Sequence, residues 1–179
     1  MDEFLNTIDV LGDEATMASI LNGTLAEFRD NSLKKIYHGF SGANCTTTII
    51  DLPEVEQVGY ELLGSSSCHV FQSNKSVKEI YLPKAKVIYG NDVFRFCSAL
   101  EILDIRSLQT MAGGFLFNDS NSLRTIKLPA TPPTIGQYSF SALTTACVLY
   151  IPTGSLSAYQ SAEYWSTLTE THTFVEEER

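Results

Sequence analysis

The chain has 179 residues, 44% apolar and 18% charged, which is the composition of one ordinary globular domain and not of a disordered segment. A net charge of −9 argues against a nucleic-acid or anionic-membrane partner, because phosphate neutralisation needs clustered Lys and Arg. Four cysteines (Cys45, Cys68, Cys97, Cys147) with no CxxC pair are too sparse for a disulfide scaffold, so free, buried thiols are expected.

The opening MDEFLNTIDVLGDE carries acids where a secretion signal carries Lys or Arg. No run reaches the ~18 apolar residues that span a bilayer. No signal peptide, anchor or membrane partner is therefore expected from these residues. Phe4, Leu5, Ile8 and Leu11 recur at helical spacing. GDEATMASILNGTL then predicts a short helix, with Asp13 as N-cap, Met17, Ile20 and Leu21 on one face, and Gly23 at the stop. Residues 1–32 read as an N-terminal helical cap or docking segment.

Beyond that point the sequence repeats itself. A faint copy lies in LKKIYHGF, at Leu33, Ile36 and Phe40, and a clearer one at Thr47, Ile50 and Leu52, followed by Pro53, Val55 and Val58. Three ungapped copies of 23 residues start at Val77, Leu100 and Leu123, and ACVLYIP from Ala146 opens a further one. Five columns align, among them Ile80/Leu103/Ile126/Leu149, Gly90/Gly113/Gly136 and Phe94/Phe117/Phe140. The step from Thr47 to Val77 is 30, seven too many, and the surplus is assigned to a loop in GSSSCHVFQSNKS. Alternation in IYLP points Ile80 and Leu82 inward and Glu79 and Tyr81 outward. One short strand per repeat, stacked on its neighbours, makes a parallel sheet over an apolar ladder, with the Phe column closing the opposite wall. The Gly column predicts a turn where a Cβ would clash or where φ is positive.

The expected fold is an α/β solenoid, a right-handed coil with a parallel sheet of short strands over residues 33–152. A cap helix and acidic tail follow over residues 153–179. There Ser155 is placed to cap a helix carrying Leu156, Tyr159, Ala162 and Trp165 on one face, and THTFVEEER reads as an extended end.

The pattern L-x-x-I-x-L-P…G-x-x-x-F at a period of 23 resembles the BspA-like, treponemal-type class of leucine-rich repeats. LYIPTGSLSAYQSAEYW resembles the cap that closes such arrays. The resemblance covers residues 33–175 loosely and 77–166 tightly. Departures are Asp104 within a strand, Ile105-Arg106 in place of the Leu82-Pro83 pair, and a Cys ahead of the strand only at Cys97. It implies a non-enzymatic recognition or adhesion module. With no secretion signal read here, it also implies a component of a phage tail or virion, or a fragment of a bacterial surface adhesin at the cell surface. Expected partners are a protein or cell-surface ligand, further copies of the chain, or other virion subunits.

No constellation points to catalysis, a cofactor or a metal. His38, His69 and His172 lack ligand spacing, Cys68 and His69 point apart as neighbours on an extended chain, and GSSS at Gly64–Ser67 lacks the Lys of a phosphate loop. The candidate binding surface is the outward face of the strand ladder. Glu79, Ile102, Thr125 and Val148 form one row, and Tyr81, Asp104, Lys127 and Tyr150 the next, with Ile49 and Asp51 added by the leading copy. Tyr in such a row carries large contact area with a polar tip.

Overall fold

A computed structural model describes residues 10–11, 26–37, 40–42, 46–60, 69–140, 143 and 145–178. The strands are β1 (Val10–Leu11), β2 (Glu27–Arg29), β3 (Lys35–Ile36), β4 (Ile49–Asp51), β5 (Gln57–Val58), β6 (Glu79–Tyr81) and β7 (Val87–Tyr89). They continue as β8 (Ile102–Asp104), β9 (Thr110–Ala112), β10 (Thr125–Lys127), β11 (Thr134–Ile135), β12 (Val148–Pro152) and β13 (Thr173–Glu177). Two helices, α1 (Leu156–Ser161) and α2 (Trp165–Thr171), separate β12 from β13.

The strands form two parallel sheets, one of order β1-β3-β5-β7-β9-β11 and one of order β13-β12-β10-β8-β6-β4-β2. The chain is thus a parallel β-solenoid of about six turns with few helices. This corrects the expected α/β coil, since each turn contributes a second strand where a helix would stand. The second strands are only two or three residues long. They alternate like the first, so that Val87 and Tyr89 face outward and half-buried while Ile88 is buried. Leu11 also departs from expectation, lying in β1 beside Ile36 and not on a helical stripe. The helix expected over Asp13–Gly23 lies outside the described residues.

Between the sheets runs one core. Phe28, Ile50, Ile80, Leu103, Ile126 and Leu149 stack on one wall, and Ile36, Val58, Ile88, Met111 and Ile135 on the other. Phe40, Phe71, Phe94, Phe117 and Phe140 fill the bend, with successive ring centroids 5.4, 5.2, 5.3 and 4.8 Å apart. Each buried ring or aliphatic chain contributes about 1.5–3 kcal/mol, and no turn could bury its face without its neighbours. Phe71 corrects the reading of GSSSCHVFQSNKS as loop throughout. Val58 pairs with Ile88 at a step of 30, whereas Phe71 stacks on Phe94 at a step of 23. The seven extra residues therefore enter between Val58 and Phe71, and the VFQSNKS half is regular coil.

The glycine column is explained by close approach. A Cβ on Gly113 would overlap the carbonyl of Gly90, and one on Gly136 the carbonyl of Gly113. Only Gly90 of the three also holds a positive φ, +99°.

The C-terminal end is covered as expected, though by a broken helix. α1 and α2 are separated around Tyr164, whose φ is +62°. The break lets two aromatic side chains reach the last coil. The Tyr159 hydroxyl donates to the Pro129 carbonyl and the Trp165 indole N–H to the Pro133 carbonyl, each at 2.7 Å. Ser155 holds the N-cap position without a side-chain bond. Instead the Glu176 carboxylate accepts the Leu156 N–H at 3.0 Å. Of THTFVEEER, Thr171 ends α2, and Thr173–Glu177 join the sheet as β13, parallel to β12.

Candidate functional site

The register assembles the two outward rows anticipated from the sequence. Ile49, Glu79, Ile102, Thr125 and Val148 are successive partners, as are Asp51, Tyr81, Asp104, Lys127 and Tyr150. β2 extends the rows by Glu27 and Arg29, and β13 by Thr173 and Val175, which the sequence reading missed. Their signal was the alternation in EFR and TFV, masked by steps that depart from 23.

Most side chains of the face are half-buried because each rung leans on the next. Arg29 pairs with both Glu27 and Asp51. The Tyr81 hydroxyl donates to the Glu79 carboxylate at 2.6 Å. That bond, with partial burial, pushes the phenol up to about 12. Asp104 is only 3% exposed. Its carboxylate accepts from the Arg106 guanidinium through Nε, at 2.9 and 3.1 Å, and through Nη2. Arg106, held above its ordinary range by that bond, is the group this rung shows to solvent, and Asp104 serves to position it. A forked Arg–carboxylate pair is a fixed donor array. Lys127 has no ion-pair partner among the described residues.

The turns between the sheets carry a separate charge ladder. Glu54 takes both Lys34 (2.8 Å) and Lys84, and Glu56 takes Lys86 at 2.7 Å. Those hydrogen bonds hold the Glu54 carboxyl down at about 2. Exposed pairs of this kind contribute little stability but discourage slippage of one turn against the next.

Among the described residues, no group of three or more His, Cys, Asp or Glu could hold a metal ion, and no helix is long and apolar enough to cross a membrane. Cys97 and Cys147 are free and buried. His69 is exposed, and His172 accepts the Cys147 N–H at Nδ1, 3.0 Å away. His38, Cys45, Cys68 and the GSSS stretch lie outside the described residues.

The description of the BspA type leucine rich repeat region matches this sequence in six copies, over residues 30–147 and 64–175. The chain belongs to the BspA-type leucine-rich-repeat family. Among curated proteins none matches it. Leucine-rich repeats of this type build protein-binding or adhesion-type modules and generally mediate protein–protein contact. In this BspA-type chain the outward rows of the seven-stranded sheet form a regular, repeat-built surface.

Proposed function

We propose that the chain is a non-enzymatic recognition module that binds a protein on a cell or particle surface through the outward face of its seven-stranded sheet. One observation carries the reading: parallel register sets Tyr81, Asp104 with Arg106, Lys127 and Tyr150 on consecutive rungs. Such a row offers two Tyr and one Arg, residue types that dominate binding hot spots, with Lys127 as a second cationic head. Apolar Ile102 and Val148 in the neighbouring row favour a protein over a sugar on this face.

The test is binding of the fluorescently labelled chain to intact bacterial cells. A Tyr81→Ala/Tyr150→Ala double variant is expected to bind at least about tenfold more weakly, as loss of two aromatic anchors implies. Unchanged binding by a folded double variant removes this face from consideration.

A place among the subunits of a phage tail or virion, or at the bacterial surface, rests on the sequence resemblance alone. Mass measurement in solution bears on assembly: a trimer supports it, and a strict monomer weakens it.

A further inference from the structure

A groove of about 500 Å³ lies between the last complete coil and α2, away from the strand face. That volume suits one or two small rings. Phe140 and Leu168 supply its apolar floor, and among the described residues no Lys, Arg, Asp or Glu lines it. His172 adds no charge at neutral pH, because burial lowers its pKa. A neutral ligand suits such a lining.

The polar wall has a definite sense. The hydroxyls of Thr145, Thr167 and Thr171 all donate to backbone carbonyls, of Asn121, Tyr164 and Leu168, at 3.3, 2.8 and 3.4 Å. A hydroxyl whose hydrogen is committed offers only lone pairs. His172 uses Nδ1 to accept the Cys147 N–H, which leaves Nε2 as the protonated nitrogen of the neutral ring. The wall thus pairs the threonine acceptors with donors from the His172 ring and the Gln137 amide, and such a mixed set matches a ligand dense in O–H groups, each of which both donates and accepts.

Tyr164 lines the groove, and Tyr138, outside the lining itself, follows the lining residue Gln137. Tyr138 is 47% exposed and stacks on Phe115, itself 43% exposed, with ring centroids 5.3 Å apart and planes within 13°. Phe115 holds φ at +56°, a conformation that disfavours a bulky side chain. We propose that this groove binds a neutral sugar residue. Its hydroxyls would meet Thr145, Thr167, Thr171 and His172, and the glycan would continue over the Tyr138–Phe115 pair.

The test is saturation-transfer NMR on the full chain with methyl glucoside, methyl galactoside and methyl N-acetylglucosaminide. At least one is expected to bind and to shift the His172 imidazole resonances. Thr167→Val, which removes one acceptor on an exposed helix position, is expected to weaken it about three- to tenfold. Tyr138→Ala is expected to do the same, whereas Lys35→Ala in β3, at the far end of the sheet from β11, leaves affinity unchanged. Trp165 fluorescence confirms that each variant is folded. The proposal is overturned if none of the three glycosides transfers saturation, or if both groove variants bind like the parent chain. It is also overturned if N-acetylphenylalanine amide binds more tightly than every sugar, which would mark the groove as a peptide site.

Discussion

The thiol of Cys97 donates to the carbonyl oxygen of Phe71 across 3.0 Å. One coil on, the Ser120 hydroxyl makes the same bond to Phe94 at 2.6 Å, and one coil back the Asn74 amide makes it to Phe40 at 2.9 Å. Three different side chains, 23 residues apart, tie each bend to the one before it. Position 97 is therefore expected to accept Ser. Cys97→Ser should change stability by less than about 1 kcal/mol, whereas Ser120→Ala should cost about 1–2 kcal/mol, because the Cys97 N–H also loses its bond to that hydroxyl. Urea unfolding of the two variants measures both.

The same thiol is expected to be inert. Burial pushes Cys97 up to about 12 and Cys147 up to about 11, so neither is a thiolate near neutral pH. A thiol favoured in its protonated form by folding adds stability below its unfolded value, near 9, and loses it as pH rises through the folded value. Iodoacetamide at pH 8 should leave both peptides unlabelled in the folded chain, and stability should fall between about pH 9 and 12. Rapid native labelling of Cys97, read by mass spectrometry, would contradict its packing.

Stacking of the coils sets the cost of core changes. Phe117→Ala removes a ring held between Phe94 and Phe140 and should cost about 3–5 kcal/mol. Gly113→Ala drives a methyl group into backbone atoms of the adjacent coil and should cost about 1–3 kcal/mol. A Gly113→Ala chain as stable as the parent would show that neighbouring coils can part there at no cost.

Trp165 is the single tryptophan, buried at the start of α2, and it packs on the same Phe140 ring as His172. Burial lowers the His172 pKa below 6.5. A depressed value means stability that is present above pH 6.5 and lost as pH falls through the folded value. Protonated at Nδ1, His172 also ceases to accept the Cys147 N–H. Trp165 fluorescence is expected to change between pH 6.5 and mild acid. His172→Gln, which cannot titrate, should abolish that limb.

One hydroxyl lies where the column calls for an aliphatic side chain. Thr47 aligns with Val77, Leu100 and Leu123, and its Oγ1 is buried without a partner among the described residues. Thr47→Val keeps the shape and removes an unpaired polar atom, so it should stabilise the chain by about 1 kcal/mol. A lower melting temperature would mean that the hydroxyl is bonded in solution.

Periodicity made the ladder legible. A side chain recurring every 23 residues must meet its own copy when coils stack, so Phe94, Phe117 and Phe140, the glycines and the outward rows were fixed by spacing alone. Phe71 was hidden because seven inserted residues broke the count on one side of it. The second sheet was hidden because strands as short as Thr134–Ile135 show too little alternation to separate from a turn.

What chain order cannot state is which neighbour satisfies a polar group. Asp104 reads as one more surface acid, and only the folded arrangement sets Arg106 over it. Thr145, Thr167, Thr171 and His172 share no period, and they meet at one groove because the cap folds back onto the last coil. Repetition along the chain determines packing, since identical coils can stack only in phase. Contacts between unlike segments, which carry the chemistry of the cap, depend on distances that no spacing encodes.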